Sequence, residues 1–260
     1  MSTDSRPESH GISPDSPSQI SVEHSRDLLS TMTAKRLLDL TLSVFLFLVT
    51  GPLVLLVMVL VKMTSRGPAI YSQTRLGLNG TEFQIHKIRT MWADAEKHSG
   101  PKWSTPGDDR ITPLGRFLRK SHLDELPQLW NVLTGEMSLV GPRPERPVIA
   151  DRLELALPDY RHRLACKPGV SGMAQVQLPP DTDLESVRIK LICDLFYIES
   201  STVWLDLRLI TCTALGLVGL KYERIGGVMR IPSLEQIEGA SRVCQSDLST
   251  HNKPHVQPAY

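Results

Sequence analysis

Two adjacent carboxylates, Asp124 and Glu125, have side chains suited to both covalent and acid–base chemistry. Neighbouring negative charges repel, which raises the pKa of one carboxyl group and lowers that of the other. One carboxylate could therefore stay anionic as a nucleophile or metal ligand while its neighbour transfers protons. The pair lies between Ser121 and Pro127, where the pattern predicts the first turn of a helix. Acidic residues are also common in first turns for purely structural reasons, so both interpretations are open.

Cationic side chains elsewhere in the chain could bind phosphate. Arg143 lies between Pro142 and Pro144, which restrict φ on either side, so its guanidinium is carried by a stiff segment suited to a phosphate clamp. A surface turn with an exposed arginine would have the same sequence. Lys87 and Arg89 follow a predicted strand and are two residues apart, so both side chains could point into one cleft. An ordinary solvated strand face would also fit.

Other patterns argue against several function classes. Asp181-Thr182-Asp183 could hold a divalent metal, but its position after two prolines and before a helix predicts a turn and an N-cap instead. The four cysteines show no CxxC spacing, which indicates reduced, cytoplasmic thiols. Lys and Arg number 29 against 28 Asp and Glu, and aromatic residues make up only 5% of the chain, so we expect no nucleic-acid partner.

Residues 40–61 form an uncharged stretch of 22 residues. A helix of this length can cross a hydrocarbon core of about 30 Å. Gly51-Pro52 in its middle predicts a kink or break, because proline cannot donate a backbone hydrogen bond. Basic residues flank both ends, whereas a spanning helix usually has an asymmetric distribution. The flanking charges favour a re-entrant hairpin with both ends on the cytoplasmic side; a kinked transmembrane helix and a buried soluble helix are the alternatives.

The rest of the chain alternates short elements with polar termini. Residues 62–122 contain eleven Lys and Arg against five acidic residues, which predicts contact with anionic headgroups or phosphorylated ligands. Asn79-Gly80 predicts a turn between two strands at 69–73 and 81–85. Thr112-Pro113 predicts a helix start, Gly135 the end of the next helix, and apolar spacing a longer helix over 184–195. Residues 204–220 are apolar but too short to span, which favours a helix in the membrane interface.

These patterns predict an α+β fold with four parts. They are a disordered N-terminal tail over residues 1–33, a re-entrant membrane helix-break-helix over 34–63, a small catalytic domain over 64–230, and a flexible C-terminal tail over 231–260. The catalytic domain is expected to be mainly helical, with a β-hairpin and interfacial amphipathic helices.

Several sequence runs occur together and in order. They are Lys35-Arg36, Gly67-Pro68, KIRTM (87–91), DDRITPLGRFLRKSHLDELPQLWNVLTGEMSLVGPRPE (108–145), KPGVSGMAQV (167–176) and DLFYIESSTVWLDLRLI (194–210). Through these runs, residues 35–220 resemble the bacterial sugar transferases that are monotopic polyprenyl-phosphate phosphoglycosyl transferases. The match suggests a minimal form with an added leader. Where many members continue with Asn-Gly-Arg after the AQV, this chain has Gln177-Leu178-Pro179-Pro180, a departure that bears on sugar or nucleotide preference.

The resemblance implies roles for individual residues. Asp124 would be the nucleophile, Glu125 its acid/base neighbour, and Mg²⁺ would bridge Asp124 and a diphosphate. The substrate-binding residues expected with this assignment are Lys87, Arg89, Arg119, Arg143 and Glu145.

The implied reaction transfers a sugar-1-phosphate from a UDP-sugar to polyprenyl (undecaprenyl) phosphate. UMP is released, and a covalent aspartyl-phosphosugar intermediate is formed. The reaction would initiate the synthesis of exopolysaccharide or another surface glycan at the cytoplasmic face of the bacterial inner membrane, beside anionic lipids. Two alternatives are a glycosyltransferase that passes on only the sugar and releases UDP, and a non-catalytic scaffold for polysaccharide assembly. The presence of both acids among cations weighs against the scaffold.

Overall fold

The computed structural model describes residues 17–95 and 107–239. Its longest element is helix α1, Pro17–Thr64, with 48 residues. Residues 17–33 are therefore helical, which differs from the predicted disordered tail. The physical reason is that an established helix extends with one new hydrogen bond for each residue it fixes. Residues 1–16 of the predicted tail lie outside the described residues.

The predicted break at Gly51-Pro52 does not divide α1 into two helices, since the helix continues through both residues. Proline removes one hydrogen bond, and the bonds on either side can keep a bent helix continuous. The Thr50 side chain also favours a bend without a break. Its Oγ1 donates to the carbonyl of Leu46 at 2.7 Å, and hydrogen bonds of this kind often bend helices.

The segment Met32–Thr64 of α1 is long and apolar enough to cross or anchor in a membrane. Only 11% of its most apolar 18-residue window is buried against protein, so this is not a core helix. Both ends of the segment nevertheless pack on the rest of the chain. Lys35 and Asp39 contact it at one end, and Val57 and Val61 are buried against it at the other.

A β-hairpin follows α1. Strand β1, Ile70–Leu76, pairs in antiparallel fashion with β2, Glu82–Ile88. The turn predicted at Asn79-Gly80 is confirmed, because both residues have positive φ values of 55° and 77°. The strands extend about three residues beyond the predicted ranges.

Two short helices follow the hairpin. Helix α2, Pro113–Lys120, has the predicted N-cap, with Thr112 Oγ1 accepting from the Gly115 amide at 2.9 Å. Helix α3, Gln128–Thr134, ends at Gly135 as predicted. It begins later than expected, however, and residues Leu123–Glu125 form a separate 3₁₀ turn. Pro127 explains the difference, since it has no N–H to continue a helix from Ser121.

The centre of the domain contains a parallel pair of strands that the sequence did not predict. Strand β3, Ser138–Val140, pairs with β4, Gly169–Ser171. Between them lie α4, Pro147–Ala156, and a 3₁₀ segment, Pro158–Ala165. The strands approach so closely at Gly141 and Gly169 that a Cβ atom on either glycine would collide with the other chain segment.

Four helices complete the domain: α5, Met173–Gln177; α6, Leu184–Ser200; α7, Val203–Leu217; and α8, Tyr222–Ile225. Residues 234–239 are also helical. The predicted C-terminal tail therefore begins too early, because Ile231 and Ile237 are buried in the largest core cluster, where apolar burial stabilises the segment. Residues 240–260 lie outside the described residues.

The fold is α+β in the described ranges, with two small two-stranded sheets among helices. Its largest core cluster joins β2, α3, β3, α6 and α7. Asp183 caps α6 by accepting from the Ser186 amide at 2.8 Å, which confirms the N-cap prediction for this residue. Helix α7 has an exposed Trp204 and a buried Asp206. This arrangement brings the hairpin, the turn at 123–125 and the end of β3 to one site.

Candidate active site

Asp124 and Glu125 lie in the 3₁₀ turn between α2 and α3. The chain enters this turn through His122, whose φ of 54° is in the left-handed region. The Asp124 side chain is held inward, with the residue only 7% exposed. The two carboxylates are adjacent in sequence but have different partners.

Glu125 forms two ion pairs. Its Oε1 accepts from Lys87 Nζ at 2.7 Å and from Arg143 Nη2 at 2.5 Å, and the second Arg143 nitrogen lies 3.4 Å from Oε2. The structure thus brings together β2, the 3₁₀ turn and the loop after β3. Lys87 is mostly buried, whereas the Arg143 side chain is 49% exposed. Arg143 therefore has a free surface on which it can meet a ligand.

The two carboxyl groups have opposite pKa shifts. Burial raises the pKa of Asp124 to about 6, and the negative charge of Glu125 adds to the increase. Burial also acts to raise the pKa of Glu125, but the positive charges of Arg143 and Lys87 outweigh it and lower that pKa. The two pKa values are therefore separated, but in the opposite sense to the expected roles: the pKa of Glu125, the expected acid/base group, is lowered, and the pKa of Asp124, the expected anionic nucleophile, is raised.

The Asp124 carboxylate has no hydrogen-bond donor in the part of the chain that the structure describes. None of the described residues donates a hydrogen bond to its carboxylate, although Lys87, Arg119 and Arg143 all act to lower its pKa. Arg119 lies on α2, where its Nε donates to Thr90 Oγ1 at 2.8 Å. Three cations thus surround a buried carboxylate whose oxygens remain available to a ligand.

Arg89 is placed differently from the expectation. Its guanidinium donates to the backbone oxygen atoms of Arg66 and Ser65, at 2.5 and 3.0 Å, and so closes the C-terminal end of α1. Gly67 makes room for it, since a Cβ atom there would collide with the guanidinium. Arg89 follows the last residue of β2, so the strand alternation that would align it with Lys87 has already ended. The structure does not bring Arg89 to Glu125.

Glu145 lies on the far side of Arg143. Its Oε1 accepts from Arg75 Nη1 at 3.1 Å and from the Arg146 amide at 2.8 Å. Glu145 and Arg143 also line a small cavity of about 50 Å³ between α4 and α6. Glu145 is therefore placed to hold the loop after β3. The residue of this loop that contacts Glu125 is Arg143.

A buried ion pair between Arg163 and Asp194 also lines this cavity, and sequence reasoning missed it. A signal was present, because Asp194 is a charged residue three positions after Leu191 on the apolar face of α6. A charge at such a position predicts a buried partner, but nothing local in the sequence identifies Arg163 as that partner.

A magnesium ion fits this site only with help from a ligand. Among the described residues, no group of three or more His, Cys, Asp or Glu side chains could hold a metal. Mg²⁺ is commonly bound through one or two carboxylates together with substrate phosphates. Asp124, with its oxygens free of hydrogen bonds from described residues, fits that pattern.

Comparison with known proteins identifies the family. The family model for bacterial sugar transferases matches residues 30–219 of the chain. The protein is a member of the bacterial sugar transferase family. The match includes α1 from residue 30 onward, the hairpin, both carboxylates and the helices as far as α7.

Proteins whose names give an activity are similar to this chain. It is 42% identical over 183 residues to a UDP-glucose:undecaprenyl-phosphate glucose-1-phosphate transferase of Caulobacter vibrioides, a match covering 69% of this chain and 67% of the relative. It is 39% identical over 176 residues to a UDP-N-acetylgalactosamine-undecaprenyl-phosphate N-acetylgalactosaminephosphotransferase of Aeromonas hydrophila, covering 68% of this chain. The match spans only 41% of the Aeromonas protein.

A third similar protein has a name that refers to polymer production. The chain is 38% identical over 186 residues to the exopolysaccharide production protein PSS of Rhizobium leguminosarum bv. phaseoli, and the match covers 69% of this chain and 92% of the relative. The relatives thus differ in length and in the sugar that their names give, while they share the segment that contains the two carboxylates.

Proposed function

We propose that this protein transfers a sugar-1-phosphate from a UDP-sugar to undecaprenyl phosphate and releases UMP, as the initiating step of exopolysaccharide or other surface glycan synthesis. The observation that carries the proposal is the buried Asp124 carboxylate, which faces three cations and accepts no hydrogen bond from described residues. Such a group can approach a diphosphate that the cations hold. The names of the similar proteins from Caulobacter and Aeromonas support the substrate classes.

In the first half-reaction, the cations Lys87, Arg119 and Arg143 bind the diphosphate. An Asp124 oxygen attacks the phosphorus that carries the sugar, and the bond from this phosphorus to the bridging oxygen breaks. UMP leaves with the bonding electron pair, and the cations stabilise its negative charge. An aspartyl-phosphosugar remains on Asp124. In the second half-reaction, an oxygen of undecaprenyl phosphate attacks the same phosphorus and frees Asp124.

Glu125 can change its protonation state only when its partners are drawn away. Arg143 and Lys87 lower its pKa in the free protein. A bound diphosphate competes for the same two cations, so the pKa of Glu125 rises toward its ordinary value as they turn to the ligand. Glu125 would then be able to accept the proton that undecaprenyl phosphate carries as a monoanion.

Mg²⁺, when bound by Asp124 and the diphosphate, would withdraw charge from the phosphoryl oxygens and the leaving group. The residues of the chain supply the other functions. Asp124 provides the nucleophile, and the three cations bind and orient the phosphates.

The contacts of α1 support a re-entrant topology with the domain on the cytoplasmic face. Lys35 Nζ donates to the Val140 carbonyl and Asp39 accepts from the Leu139 amide, while at the other end Arg89 binds the carbonyl of Ser65. A straight helix over the 30 residues from Lys35 to Ser65 would be about 45 Å long, more than the thickness of a hydrocarbon core of about 30 Å. One domain on one side of a membrane can contact both ends only if the helix returns to that side.

Two measurements test the proposed reaction. Intact-mass spectrometry of the protein with a UDP-sugar alone should show a phosphosugar adduct on Asp124, and UMP should appear in the supernatant. A panel of UDP-sugars with undecaprenyl phosphate identifies the sugar. Release of UDP instead of UMP would favour a glycosyltransferase, and no nucleotide release from any donor would favour the scaffold. Asp124→Asn is the control and should show neither adduct nor UMP.

A further inference from the structure

The loop from Val140 to Pro144 is anchored through its backbone oxygens. The Val140 oxygen accepts from Tyr197 Oη at 3.1 Å, and the Pro142 oxygen accepts from the Gly169 amide at 2.9 Å. The Pro144 oxygen accepts from Arg75 Nη1 at 3.1 Å. The remaining anchor is at Arg143 itself, the residue whose guanidinium contacts Glu125.

That anchor is the side chain of Arg163. Its Nη2 donates to the Arg143 carbonyl at 3.0 Å and to Asp194 Oδ2 at 2.6 Å, and its Nε also donates to Oδ2 at 3.0 Å. Arg163 Nη1 donates to the Tyr160 hydroxyl at 2.6 Å. Arg163 and Asp194 are only 8% and 3% exposed, so the geometry of the pair is enclosed by protein. One guanidinium therefore links α6 to the backbone of Arg143.

The surroundings show why such a link is needed. A small cavity of about 50 Å³ lies beside Arg143, and Arg163 and Asp194 form part of its wall. Packed side chains cannot hold the loop on a side where there is empty space. Stability alone explains the pair poorly, because a buried ion pair is often no more stabilising than apolar residues of similar size.

We propose that Arg163 and Asp194 are positioning residues for phosphoryl transfer: they hold the Arg143 carbonyl so that the Arg143 guanidinium stays against Glu125 and the bound diphosphate. This inference rests on the proposed function of the site, and it concerns two residues that do not touch the reacting atoms. Without the pair, the loop relaxes toward the cavity and the guanidinium moves with it. Misplacement of about 1 Å at such a site can reduce a rate about 100-fold.

The test removes both charges together, so that no unpaired buried charge remains. Arg163→Met with Asp194→Leu should reduce kcat for UMP release about 10- to 100-fold and change the melting temperature by only a few degrees. Arg161→Met with Glu154→Leu is the matched control, since Arg161 belongs to the same 3₁₀ segment but forms an exposed ion pair with Glu154. The control should keep wild-type kcat.

A double-mutant cycle separates positioning from a general structural effect. In an Arg143→Gln background, the Arg163→Met/Asp194→Leu change should reduce UMP release less than twofold further, because the residue being positioned is already gone. If the losses multiply instead, or if the double variant has wild-type kcat, the proposal is wrong.

A readout independent of activity covers two other cases. Hydrogen exchange of a peptide from residues 139–147 should be faster in the double variant than in the wild type or in the Arg161/Glu154 control. If hydrogen exchange in the double variant equals that of the wild type, the positioning proposal is wrong, whether or not the wild type releases UMP. If exchange is faster but the wild type releases no UMP, only the proposed function is contradicted. Should the double variant fail to fold, Arg163→Lys replaces it. Lysine keeps the charge but cannot donate to Asp194 and the carbonyl with the same geometry, so exchange should again be faster.

Discussion

At the scale of single residues, the site depends on the unequal environments of two neighbouring carboxylates. Glu125 has two cationic partners at hydrogen-bonding distance, and Asp124 has none among the described residues. A buried charge without a partner is unfavourable in the folded protein, whereas a paired one is much less so. In the proposed reaction, the absence of a hydrogen-bonded partner that leaves Asp124 free to attack phosphorus is also what makes its ionised form reduce stability.

The two isosteric amide substitutions should have opposite effects on stability. The pKa of Asp124 in the folded protein is about 6, above its ordinary value of 3.8, so ionisation reduces the free energy of unfolding as pH rises from about 4 to 6. Asp124→Asn should thus increase the free energy of unfolding at pH 7.5 by up to about 3 kcal/mol while UMP release is lost. Glu125→Gln leaves Lys87 and Arg143 unpaired and should lower the melting temperature. The melting temperatures of both variants, measured in the same detergent, test this prediction. A change of the same sign and size in both would contradict it.

The activity should depend on pH through Asp124. Only the ionised carboxylate can attack phosphorus, and its pKa in the free protein is about 6. We expect kcat/KM for UMP release to fall about tenfold for each pH unit below 6 and to be level between pH 7 and 8. A profile that stays level from pH 5 to 8 would show that ionisation of Asp124 does not limit the reaction.

The shape of the Arg143 side chain should matter more than its charge. Its two nitrogens reach Glu125 as a fork, which lysine cannot reproduce. Arg143→Lys should lose at least tenfold in UMP release at saturating magnesium, and the loss should persist at high salt because a bound clamp is screened less than an exposed charge. Arg116→Lys, on the exposed side of α2, serves as the control. Wild-type activity in Arg143→Lys would leave Arg143 as a surface-turn residue.

At the scale of secondary-structure elements, the sequence predicted features with local causes. The Thr112 cap, the turn at Asn79-Gly80 and the end of α3 at Gly135 each depend on a few adjacent residues. The parallel pairing of β3 with β4 could not be predicted in this way, because each strand has only three residues and the partners are about 30 positions apart. Strands this short show no period in the sequence.

In the candidate site, too, features with local causes were predicted and those that depend on distant residues were not. Asp124, Glu125, Lys87 and Arg143 are brought together, as the motifs and the resemblance led us to expect. Arg89 is not, because its position one residue beyond β2 changes the direction of its side chain, and the sequence gives no sign of where a strand ends to within one residue. Arg163 was missed because its charged partner, Asp194, is 31 residues away and it also binds a backbone oxygen, neither of which a local pattern reveals.

Arg89 gives a prediction for the junction between α1 and the hairpin. Its guanidinium binds the carbonyls of Ser65 and Arg66, the two residues that follow α1, so Arg89→Met leaves these oxygens without their donor. We expect a lower melting temperature with a KM for the UDP-sugar within about twofold of wild type. Lys87→Met is the comparison and should raise KM or abolish UMP release, because Lys87 contacts Glu125. A raised KM in Arg89→Met at wild-type stability would restore Arg89 as a substrate-binding residue.

At the scale of the whole molecule, both ends of the apolar part of α1 belong to the domain. This leads to a topology prediction for single cysteines introduced at Ser30 and Arg66 in a protein with Cys244 replaced by serine. Both should be protected from a membrane-impermeant maleimide in intact spheroplasts and should react after the inner membrane is permeabilised. Cys166, Cys193 and Cys212 are at least partly buried and provide the background control. Labelling at position 30 from the periplasm would indicate an ordinary spanning helix.

The contacts between α1 and the domain also have a consequence during translation. Lys35 is 171 residues ahead of Asp206 and 105 ahead of Val140, while Asp39 is 99 ahead of Ser138. At synthesis rates of about 5–20 residues per second, Asp206 leaves the ribosome roughly 10 to 30 s after Lys35. During that interval water and lipid headgroups must solvate the ammonium group of Lys35. Strand β3 is made well before α7, so the nascent domain can first close on the helix through Asp39, and the contact between Lys35 and Asp206 completes the enclosure last.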